Sequence, residues 1–397
     1  MPVGQQTGAT PQQTAQQSNA MARQIVLANA VNEWQQIYQS TLTGTIPGQV
    51  VNVPLRNVGL IKRLIVRVAA QFAQSAAETQ TLTTFGSSNL LSQVILTDLS
   101  NQTRINTSGW HLQMVASAKR QWPYGASTGT NAAAATDCPF GFGTNFQKLQ
   151  TAPATVTTSA AQNVFAYFEV PVSYSDTDLR GAIYGNVVNA TMNLALTINP
   201  NLSCSSAADP TFSVYQSSTT TNFGTWTNFQ VTVYQNYLDQ IPIGKQGPIL
   251  PALDLSTAYL LNYTQAGGLV QNTDNPFPYA NFRDFLSTTV IYDNAGTLNT
   301  GSDINYFALQ AANYTNLIKL DPYTTALFGR NRMTIDFPKG SYYFDHRDKP
   351  ISTVQYGNMS LVMNASTVTS SQSVAYLGYE ALALINQVTQ AGSLYGT

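Results

Sequence analysis

Residues 241–251 read Ile241-Pro-Ile-Gly-Lys-Gln-Gly-Pro-Ile-Leu-Pro251, and this stretch decides how the chain divides. Its three prolines and two glycines exclude a regular strand or helix. The chain has 397 residues, which is more than one hydrophobic core usually organises. We therefore predict two domains with their boundary at this stretch.

Strand signals dominate the chain on both sides of the boundary. The segments are short, rich in β-branched and aromatic residues, and mostly bounded by turn residues. They cover residues 49–53, 64–70, 163–170, 191–198, 229–234 and 359–363. Short strands at this spacing are typical of a β-sandwich or a jelly roll, so the sequence predicts an all-β protein.

Two pairs of similar segments indicate an internal duplication. Leu91-Ser-Gln-Val-Ile-Leu-Thr-Asp98 matches Leu286-Ser-Thr-Thr-Val-Ile-Tyr-Asp293 without gaps, and Tyr184-Gly-Asn186 matches Tyr356-Gly-Asn358. The matches occur in the same order on the two sides of the boundary. They favour two copies of one fold, side by side, over two unrelated domains.

The composition is poor in charged residues. Asp, Glu, Lys and Arg make up 9% of the chain, whereas ordinary soluble domains carry about 25%. The 21 Tyr and 17 Phe suit strands and surfaces that contact other proteins. A net charge of -1 offers no cluster of Lys and Arg to a phosphate backbone, so direct nucleic-acid binding is not expected.

The N-terminal residues divide into a tail and a helix. Residues 1–20 carry no charge and almost no large apolar side chain, which predicts a flexible tail. Residues 21–40 show apolar residues at helical spacing and predict one amphipathic helix. The residues of its apolar stripe are Leu27, Val31, Trp34 and Tyr38. Two interpretations stay open: the helix docks on the protein itself, or it lies on a membrane.

The sequence shows no sign of a secretory or membrane-spanning segment. The N-terminus lacks a basic region followed by an apolar core, and no apolar run approaches the roughly 18 residues that a spanning helix needs. Cys138 and Cys204 are too few for a disulfide framework. We expect two reduced thiols in a cytoplasm.

Residues that could carry out chemistry are scarce. The two histidines, His111 and His346, lie in no recognisable catalytic motif. No cluster of His and Cys offers the four ligands that zinc needs. The densest charge cluster, Asp345-His-Arg-Asp-Lys349, is interpreted as an ion-pair turn. We therefore predict no catalytic residue, no metal site, no cofactor and no enzyme activity.

Several longer strings resemble the tectivirus major capsid protein family, whose members are double jelly-roll capsid proteins of membrane-containing icosahedral phages. The first half contributes Thr107-Ser-Gly-Trp-His-Leu112, Tyr174-Ser-Asp-Thr-Asp-Leu179 and Val233-Tyr-Gln-Asn-Tyr-Leu-Asp-Gln240. The second half contributes Leu253-Asp-Leu-Ser-Thr257, Ser302-Asp-Ile-Asn-Tyr306, Asp336-Phe-Pro-Lys-Gly-Ser-Tyr-Tyr343, Arg347-Asp-Lys-Pro-Ile351 and Gln355-Tyr-Gly-Asn358, in the family's order. Residues 125–160, rich in Gly, Ala, Thr and Ser, do not match this pattern and are predicted to form long loops.

The resemblance implies a non-enzymatic major capsid protein of the virion, assembled in the cytoplasm of a host bacterium. It implies two eight-stranded jelly rolls per subunit and trimeric, pseudo-hexagonal capsomers. These would tile an icosahedral shell around an internal membrane that encloses double-stranded DNA. Expected partners are further copies of the chain and other virion proteins, such as vertex and membrane proteins. The N-terminal helix is then expected on the inner side of the shell, near the membrane.

We thus predict an all-β double jelly roll, two eight-stranded β-sandwiches side by side, with an N-terminal amphipathic helix and a few short helices in loops. The expected domains are a tail (1–20), a helix (21–40), a first jelly roll (41–245), a linker (246–257), a second jelly roll (258–385) and a C-terminal tail (386–397). The alternative is a carbohydrate-binding or spike-like β-sandwich surface protein. Its aromatic side chains would face a ligand groove instead of neighbouring subunits.

Overall fold

The structure is a computed structural model. It describes residues 11–74, 78–120, 150–152, 155–187, 191–205, 212–218, 222–245, 247–298, 301–311, 315–333 and 340–385. This part of the chain consists mainly of strands with a few helices. Cys138, the predicted C-terminal tail and most of the loops predicted at 125–160 lie outside the described residues.

The first half of the chain forms fourteen of the described strands. They are β1 (Val31–Thr41), β2 (Val50–Pro54), β3 (Leu60–Ala73), β4 (Gln80–Leu82), β5 (Leu91–Thr97), β6 (Thr103–Thr107), β7 (Gln150–Thr151), β8 (Thr155–Val156), β9 (Gln162–Pro171), β10 (Ile183–Tyr184), β11 (Asn193–Ile198), β12 (Ser203–Ser205), β13 (Tyr215–Ser217) and β14 (Thr225–Asp239). Eight of them build the first roll: β1, β2, β3, β5, β6, β9, β11 and β14.

Numbered one to eight along the chain, these strands lie in two facing layers. The first layer has the order β1-β14-β3-β9, which is one-eight-three-six. The second has the order β2-β11-β5-β6, which is two-seven-four-five. A small sheet, β12-β13-β4-β8, lies beside them.

The second half of the chain forms the remaining described strands. They are β15 (Ile243–Gly244), β16 (Gly247–Pro248), β17 (Thr257–Ala266), β18 (Asp274–Pro278), β19 (Asp284–Asp293), β20 (Ile304–Ala311), β21 (Thr315–Leu320), β22 (Ser341–Asp345), β23 (Ile351–Ser352), β24 (Met359–Ala365) and β25 (Val374–Leu384). Leaving out β15, β16 and β23, eight strands remain. Their layers are β17-β25-β19-β22 and β18-β24-β20-β21, again one-eight-three-six and two-seven-four-five.

Two packed four-stranded layers with this order form an eight-stranded jelly roll, so the chain is a double jelly roll and the predicted fold class is confirmed. The rolls share one sheet. Strand β6 of the first roll pairs in parallel with β17 of the second, through Ile105 with Leu261 and Asn106 with Asn262. The second layer of the first roll and the first layer of the second roll therefore form one continuous sheet.

The first helix precedes β1, and the other helices lie in the connections between strands. They are α1 (Pro11–Asn29), α2 (Gly109–Arg120), α3 (Ala252–Leu255), α4 (Pro322–Met333) and α5 (Thr353–Tyr356), with a 3-10 helix at Gly86–Leu90. Helices α2 and α4 occupy the same place in their rolls, because each lies between the fifth and the sixth strand. The short helices predicted in loops are thus present.

Alternation along the strands produces the cores. In β3, Leu64, Val66 and Val68 are buried between the layers of the first roll, whereas Ile65 and Arg67 on the other face are partly exposed. The period of two is that of a strand with one face on a core. The second roll has its own core, which includes Val290 and Leu377.

The N-terminal prediction is wrong in two respects. Residues 11–20, predicted to be part of a flexible tail, already form the first half of α1. The helix ends at Asn29, and residues 31–41, predicted to be helical as far as residue 40, form strand β1 along β14. The cause is tertiary: residues 31–41 pair with β14 in an antiparallel ladder that has one register shift, between Gln36 and Tyr38, and such pairing overrides a helical spacing of apolar residues.

One of the two predicted repeat matches is also wrong. Leu91–Thr97 is the fourth strand of its roll, whereas the segment from Leu286 to Asp293 belongs to the third strand of the other. The second match is equivalent, because Tyr184 and Tyr356 both lie between the sixth and the seventh strand. The duplication is therefore evident in the strand order, which is identical in the two rolls.

Candidate functional site: the contact between the two rolls

Helix α2 leaves the first roll and packs on the outer face of the second. Trp110, Met114 and Ala118 follow each other at intervals of four residues, which places them on one face of the helix. All three are buried in one apolar cluster. The second roll contributes to this cluster Ile291 of β19, Tyr343 of β22 and Tyr376 of β25. These side chains point away from the core of their own roll, so the helix covers a sheet face that would otherwise lie open.

Beside this apolar contact lies a buried carboxylate. Glu380 of β25 is fully buried and accepts hydrogen bonds from the hydroxyls of Tyr259 and Ser287, each at 2.7 Å. Arg347 donates to its Oε2 at 2.8 Å, and the Nζ of Lys119 lies 3.1 Å from its Oε1. Burial alone would raise the pKa of Glu380, but the two cations outweigh it and hold the pKa well below its usual range.

Lys119 brings its charge from the first roll. Its ammonium donates to the carbonyl of Tyr174 at 2.9 Å and lies 4.1 Å from the ring centroid of Tyr259. Burial lowers the pKa of Lys119, while the attraction of Glu380 opposes that change. The amine therefore depends on partners from both rolls to compensate for the water it has lost.

A histidine packs against β25, the strand that also carries Glu380. His111, the third residue of α2, is fully buried, and its Nδ1 lies 2.6 Å from the hydroxyl of Thr107. The ring packs on Gly378 of β25, where an added Cβ would lie 2.4 Å from the ring carbon Cδ2. Burial lowers the pKa of His111 to about 4, so the ring is neutral near pH 7.

The N-terminal helix α1 is fixed to the segment that connects the rolls. Arg23 donates two hydrogen bonds of 2.6 Å to the buried carboxylate of Asp254 in α3. Asn19 donates to the same carboxylate at 2.9 Å and accepts from the backbone N–H of Leu253. Val26 is buried in a small apolar cluster with Leu60 and Leu238 of the first roll. Helix α1 is thus docked on its own subunit.

The four residues predicted on one membrane-proximal stripe lie on two different elements. Leu27 is on α1 and packs on the cluster around Val26. Val31, Trp34 and Tyr38 are on β1, where Trp34 is 49% exposed and Tyr38 packs on the first core. The structure therefore does not bring them together on one helix face. Proximity of this segment to a membrane stays a prediction.

The pair of Lys119 and Glu380 was not predicted from the sequence. One signal was present, because Glu380 is the only glutamate among residues 241–397 and interrupts the apolar strand Val374–Leu384. A lone carboxylate in such a strand indicates a buried ion pair. The predicted ion-pair turn supplies one partner, since Arg347 pairs with both Asp345 and Glu380.

Within the described ranges, no group of three or more His, Cys, Asp or Glu side chains is placed to hold a metal ion. The helices described here are all too short or too polar to cross a membrane. Cys204 lies on β12, but its predicted state as a reduced thiol stays a prediction because Cys138 is not described.

Solved structures that share this fold include viral capsid proteins. The match with the crystal structure of the STIV MCP covers 89% of this chain and 97% of that one, with a TM-score of 0.60 and 12% identity. A structure described as the atomic structure of Sulfolobus Turreted Icosahedral Virus gives a TM-score of 0.61 at 11% identity and covers 92% of this chain and 96% of that one. At such identities the likeness shows the fold alone, which is that of the viral double jelly-roll capsid proteins.

Sequence comparison narrows this class. Residues 3–241 match the P3 major capsid protein N-terminal family, and residues 256–395 match the P3 major capsid protein C-terminal family. The major capsid protein P3 of Enterobacteria phage PRD1 is 39% identical over 395 residues, which cover 99% of this chain and 98% of that protein. The chain therefore belongs to the P3 major capsid protein family. This confirms the predicted tectivirus resemblance, capsid function and non-enzymatic role, and it does not favour the carbohydrate-binding or spike-like alternative.

Proposed function

We propose that this capsid protein forms trimers with a pseudo-hexagonal outline, and that the trimers tile an icosahedral shell around an internal membrane enclosing double-stranded DNA. Assembly takes place in the cytoplasm of the host bacterium. Further partners are other virion proteins, such as vertex and membrane proteins. The predicted limits of the linker (246–257), the second jelly roll (258–385) and the C-terminal tail (386–397) belong to this proposal.

The observation that carries the proposal is the identical strand order of the two rolls. A subunit with two equivalent rolls side by side behaves as two of the six corners of a hexagon. Three copies related by a threefold axis then supply all six corners, and hexagonal units tile a surface without gaps. The structure described for Sulfolobus Turreted Icosahedral Virus supports the icosahedral part, since it has the same fold.

The test is the size and outline of the purified protein. Sedimentation is expected to give three times the chain mass of 43.0 kDa at all concentrations at which the protein is folded, because an obligate interface couples folding to assembly. Electron micrographs are expected to show a hexagonal outline. A stable folded monomer would contradict the trimer, and a few copies per virion on a quantitative gel would contradict the shell.

The N-terminal segment is proposed to face the membrane from the inner side of the shell. Arg23 is the only charged residue of α1, and its charge is already matched by Asp254, so α1 approaches lipid without an unpaired charge. Photoactivatable lipids in intact virions are expected to label peptides from residues 11–41. Labelling of peptides from β18 or β24 at the same level would contradict this placement.

A further inference from the structure

A cavity of about 340 Å³ lies between β17 and β18, the first two strands of the second roll. Most of its wall is apolar and includes Phe277 of β18, Phe285 of β19, and Leu377 and Tyr379 of β25. Sites for small molecules typically have about 300–1,000 Å³ and a mainly apolar lining with a few polar groups. The cavity, here called the β17–β18 cavity, therefore has the size and the surface of a ligand site.

The side chains of β17 explain why the second roll is not filled here. Asn262, Thr264 and Ala266 alternate along the strand, and Ala266 packs on the core of the second roll, so this face of β17 points into the roll. Two polar side chains and one small one leave space between the strands. In the first roll, Leu42 directly follows β1 and is buried in the core, whereas Gly267 directly follows β17. The cavity thus results from these side chains, since the strand order of the two rolls is the same.

Arg283 places a positive charge at this cavity. The residue directly precedes β19, lines the cavity and is 7% exposed. None of the lining residues that the structure describes is an aspartate or a glutamate. Burial lowers the pKa of Arg283, but a guanidinium stays protonated in proteins. A buried cation beside an apolar cavity favours a ligand that brings a negative charge.

Neighbouring groups hold Arg283 in position. Its backbone N–H donates to the hydroxyl of Thr353 at 2.9 Å, and its carbonyl accepts from that hydroxyl at 3.1 Å. With the amide of Asn262 oriented to satisfy both of its ends, the amide oxygen accepts from Nη1 of Arg283 at 3.1 Å. Within the described part of the chain, the Nε–H of the same side chain meets no acceptor. The guanidinium is therefore fixed and retains the capacity to donate to a ligand oxygen.

Two hydroxyl groups add to the polar part of the lining, those of Tyr379 and of the exposed Thr264. Burial raises the pKa of Tyr379, and a hydrogen bond with Thr264 opposes that change. The phenol therefore keeps its proton and can donate to an anion. A carboxylate carries one negative charge, which one arginine balances, whereas a phosphate monoester carries about −1.5 to −2 at pH 7. The lining thus favours a carboxylate attached to an apolar body.

We propose that the β17–β18 cavity binds a monocarboxylate with a short apolar chain, of the kind of a medium-chain fatty acid. Its carboxylate accepts a hydrogen bond from the Nε–H of Arg283, and its chain packs on Phe277, Phe285 and Leu377. An inorganic anion or an uncharged apolar molecule uses only one of the two parts of the lining. The site does not depend on the proposed trimer, because every group that forms it belongs to one chain.

The site lies next to the strand pair that joins the rolls. Asn262, which accepts from Arg283, is paired with Asn106 of β6 across the contact between the rolls. A ligand that binds only the folded chain stabilises the folded chain by mass action. The midpoint of thermal unfolding is therefore expected to rise with the concentration of the bound carboxylate.

Simple probes titrated into the purified wild-type protein test this inference. Calorimetry with decanoate is expected to give one site per chain. Decanol, which has the same chain without the charge, is expected to bind roughly tenfold to 100-fold more weakly, as for loss of a hydrogen bond to a charged group. Acetate, which lacks the chain, is expected to show no saturation in the same concentration range. Absence of a decanoate site, or equal affinity for decanol or acetate, overturns the inference.

Matched substitutions locate the site. Thr264→Trp places an indole in the cavity from an exposed position and is expected to abolish decanoate binding. Thr273→Trp is the control, because Thr273 is exposed and does not line the cavity. Arg283→Gln is expected to reduce the affinity for decanoate to that for decanol, and circular dichroism checks that each variant folds. Unchanged affinity in folded Thr264→Trp, or an equal loss in Thr273→Trp, overturns the inference, and this comparison holds even if Arg283→Gln does not fold.

Discussion

The ammonium of Lys119 lies 3.1 Å from the carboxylate of Glu380 across the contact between the two rolls. Lys119 comes from the helix that follows the fifth strand of the first roll, and Glu380 comes from the last strand of the second. Glu380 is fully buried and Lys119 is mostly buried, so each roll compensates the charge that the other removes from water. The pair therefore couples the folding of the two halves of the chain.

Replacing the Glu380 carboxylate is expected to destabilise the folded protein strongly. Glu380→Gln leaves Arg347 and Lys119 without their shared counter-charge in a buried site, and we expect the free energy of unfolding to fall by about 3–5 kcal/mol. Urea unfolding followed by the fluorescence of Trp110 and the other tryptophans measures this loss. The control Asp284→Asn removes an exposed carboxylate and is expected to change stability by no more than about 0.5 kcal/mol. Equal losses in the two variants would disprove the role of Glu380.

Mild acid is expected to destabilise the protein through His111. Burial lowers the pKa of His111 from 6.5 to about 4. Between these two values, His111 binds a proton in the unfolded chain but not in the folded one. The free energy of unfolding then falls as the pH drops through this window, by about 3 kcal/mol from this residue. Unfolding experiments between about pH 7 and pH 4 are expected to show a shallower dependence in His111→Gln than in the wild type. An identical slope in both proteins would refute the assignment.

Gly378, which packs against the His111 ring, is expected to tolerate no side chain. A Cβ at position 378 would lie 2.4 Å from the His111 ring, and the ring is buried on all sides. Gly378→Ala is therefore expected to cost up to about 3 kcal/mol through overpacking. Gly267→Ala is the control, because an added Cβ there meets nothing within 4 Å. Thermal unfolding of the two variants compares the effects, and a loss of stability in Gly267→Ala alone would be inconsistent with this packing.

Docking of α1 is expected to depend on Arg23. In Arg23→Gln both hydrogen bonds to Asp254 lose their charge, and we expect amide hydrogen exchange within residues 11–29 to accelerate about tenfold. Exchange in β3 and β25 is expected to stay unchanged, since the cores are not touched. Gln24→Ala alters an exposed neighbour and serves as the control. Unaltered exchange in Arg23→Gln would show that Val26 and Asn19 suffice to hold the helix.

Local patterns were enough to predict an all-β protein and six of its strand segments, whereas the double jelly roll was implied by the family resemblance. The period of two around Leu64 and Val66 and the proline-rich stretch at 241–251 reflect local backbone chemistry, which a sequence displays directly. The limits of the N-terminal helix could not be predicted in this way, because Val31 and Trp34 become strand residues only through pairing with β14. The contact of Lys119 with Glu380 joins residues in different halves of the chain, and no local pattern encodes such a distance.

The internal repeat shows in the same way that a local string does not give the position of its strand in the fold. Leu91 and Leu286 begin similar strings, yet they occupy the fourth and the third strand of their rolls, because apolar strands of one fold resemble each other in composition. The string at Tyr184 and Tyr356 is equivalent, since it marks the connection between the sixth and seventh strands. Connections thus distinguish the positions of a jelly roll better than its apolar strands do.

The parallel pairing of β6 with β17 has a mechanical consequence. Backbone hydrogen bonds cross the seam between the rolls, and the apolar residues of α2 lie across the same seam, so bending there would require breaking a continuous sheet. The two rolls of each subunit, as far as the structure describes them, therefore behave as one stiff plate. A closed shell built from such plates must take all of its curvature from the joints between them.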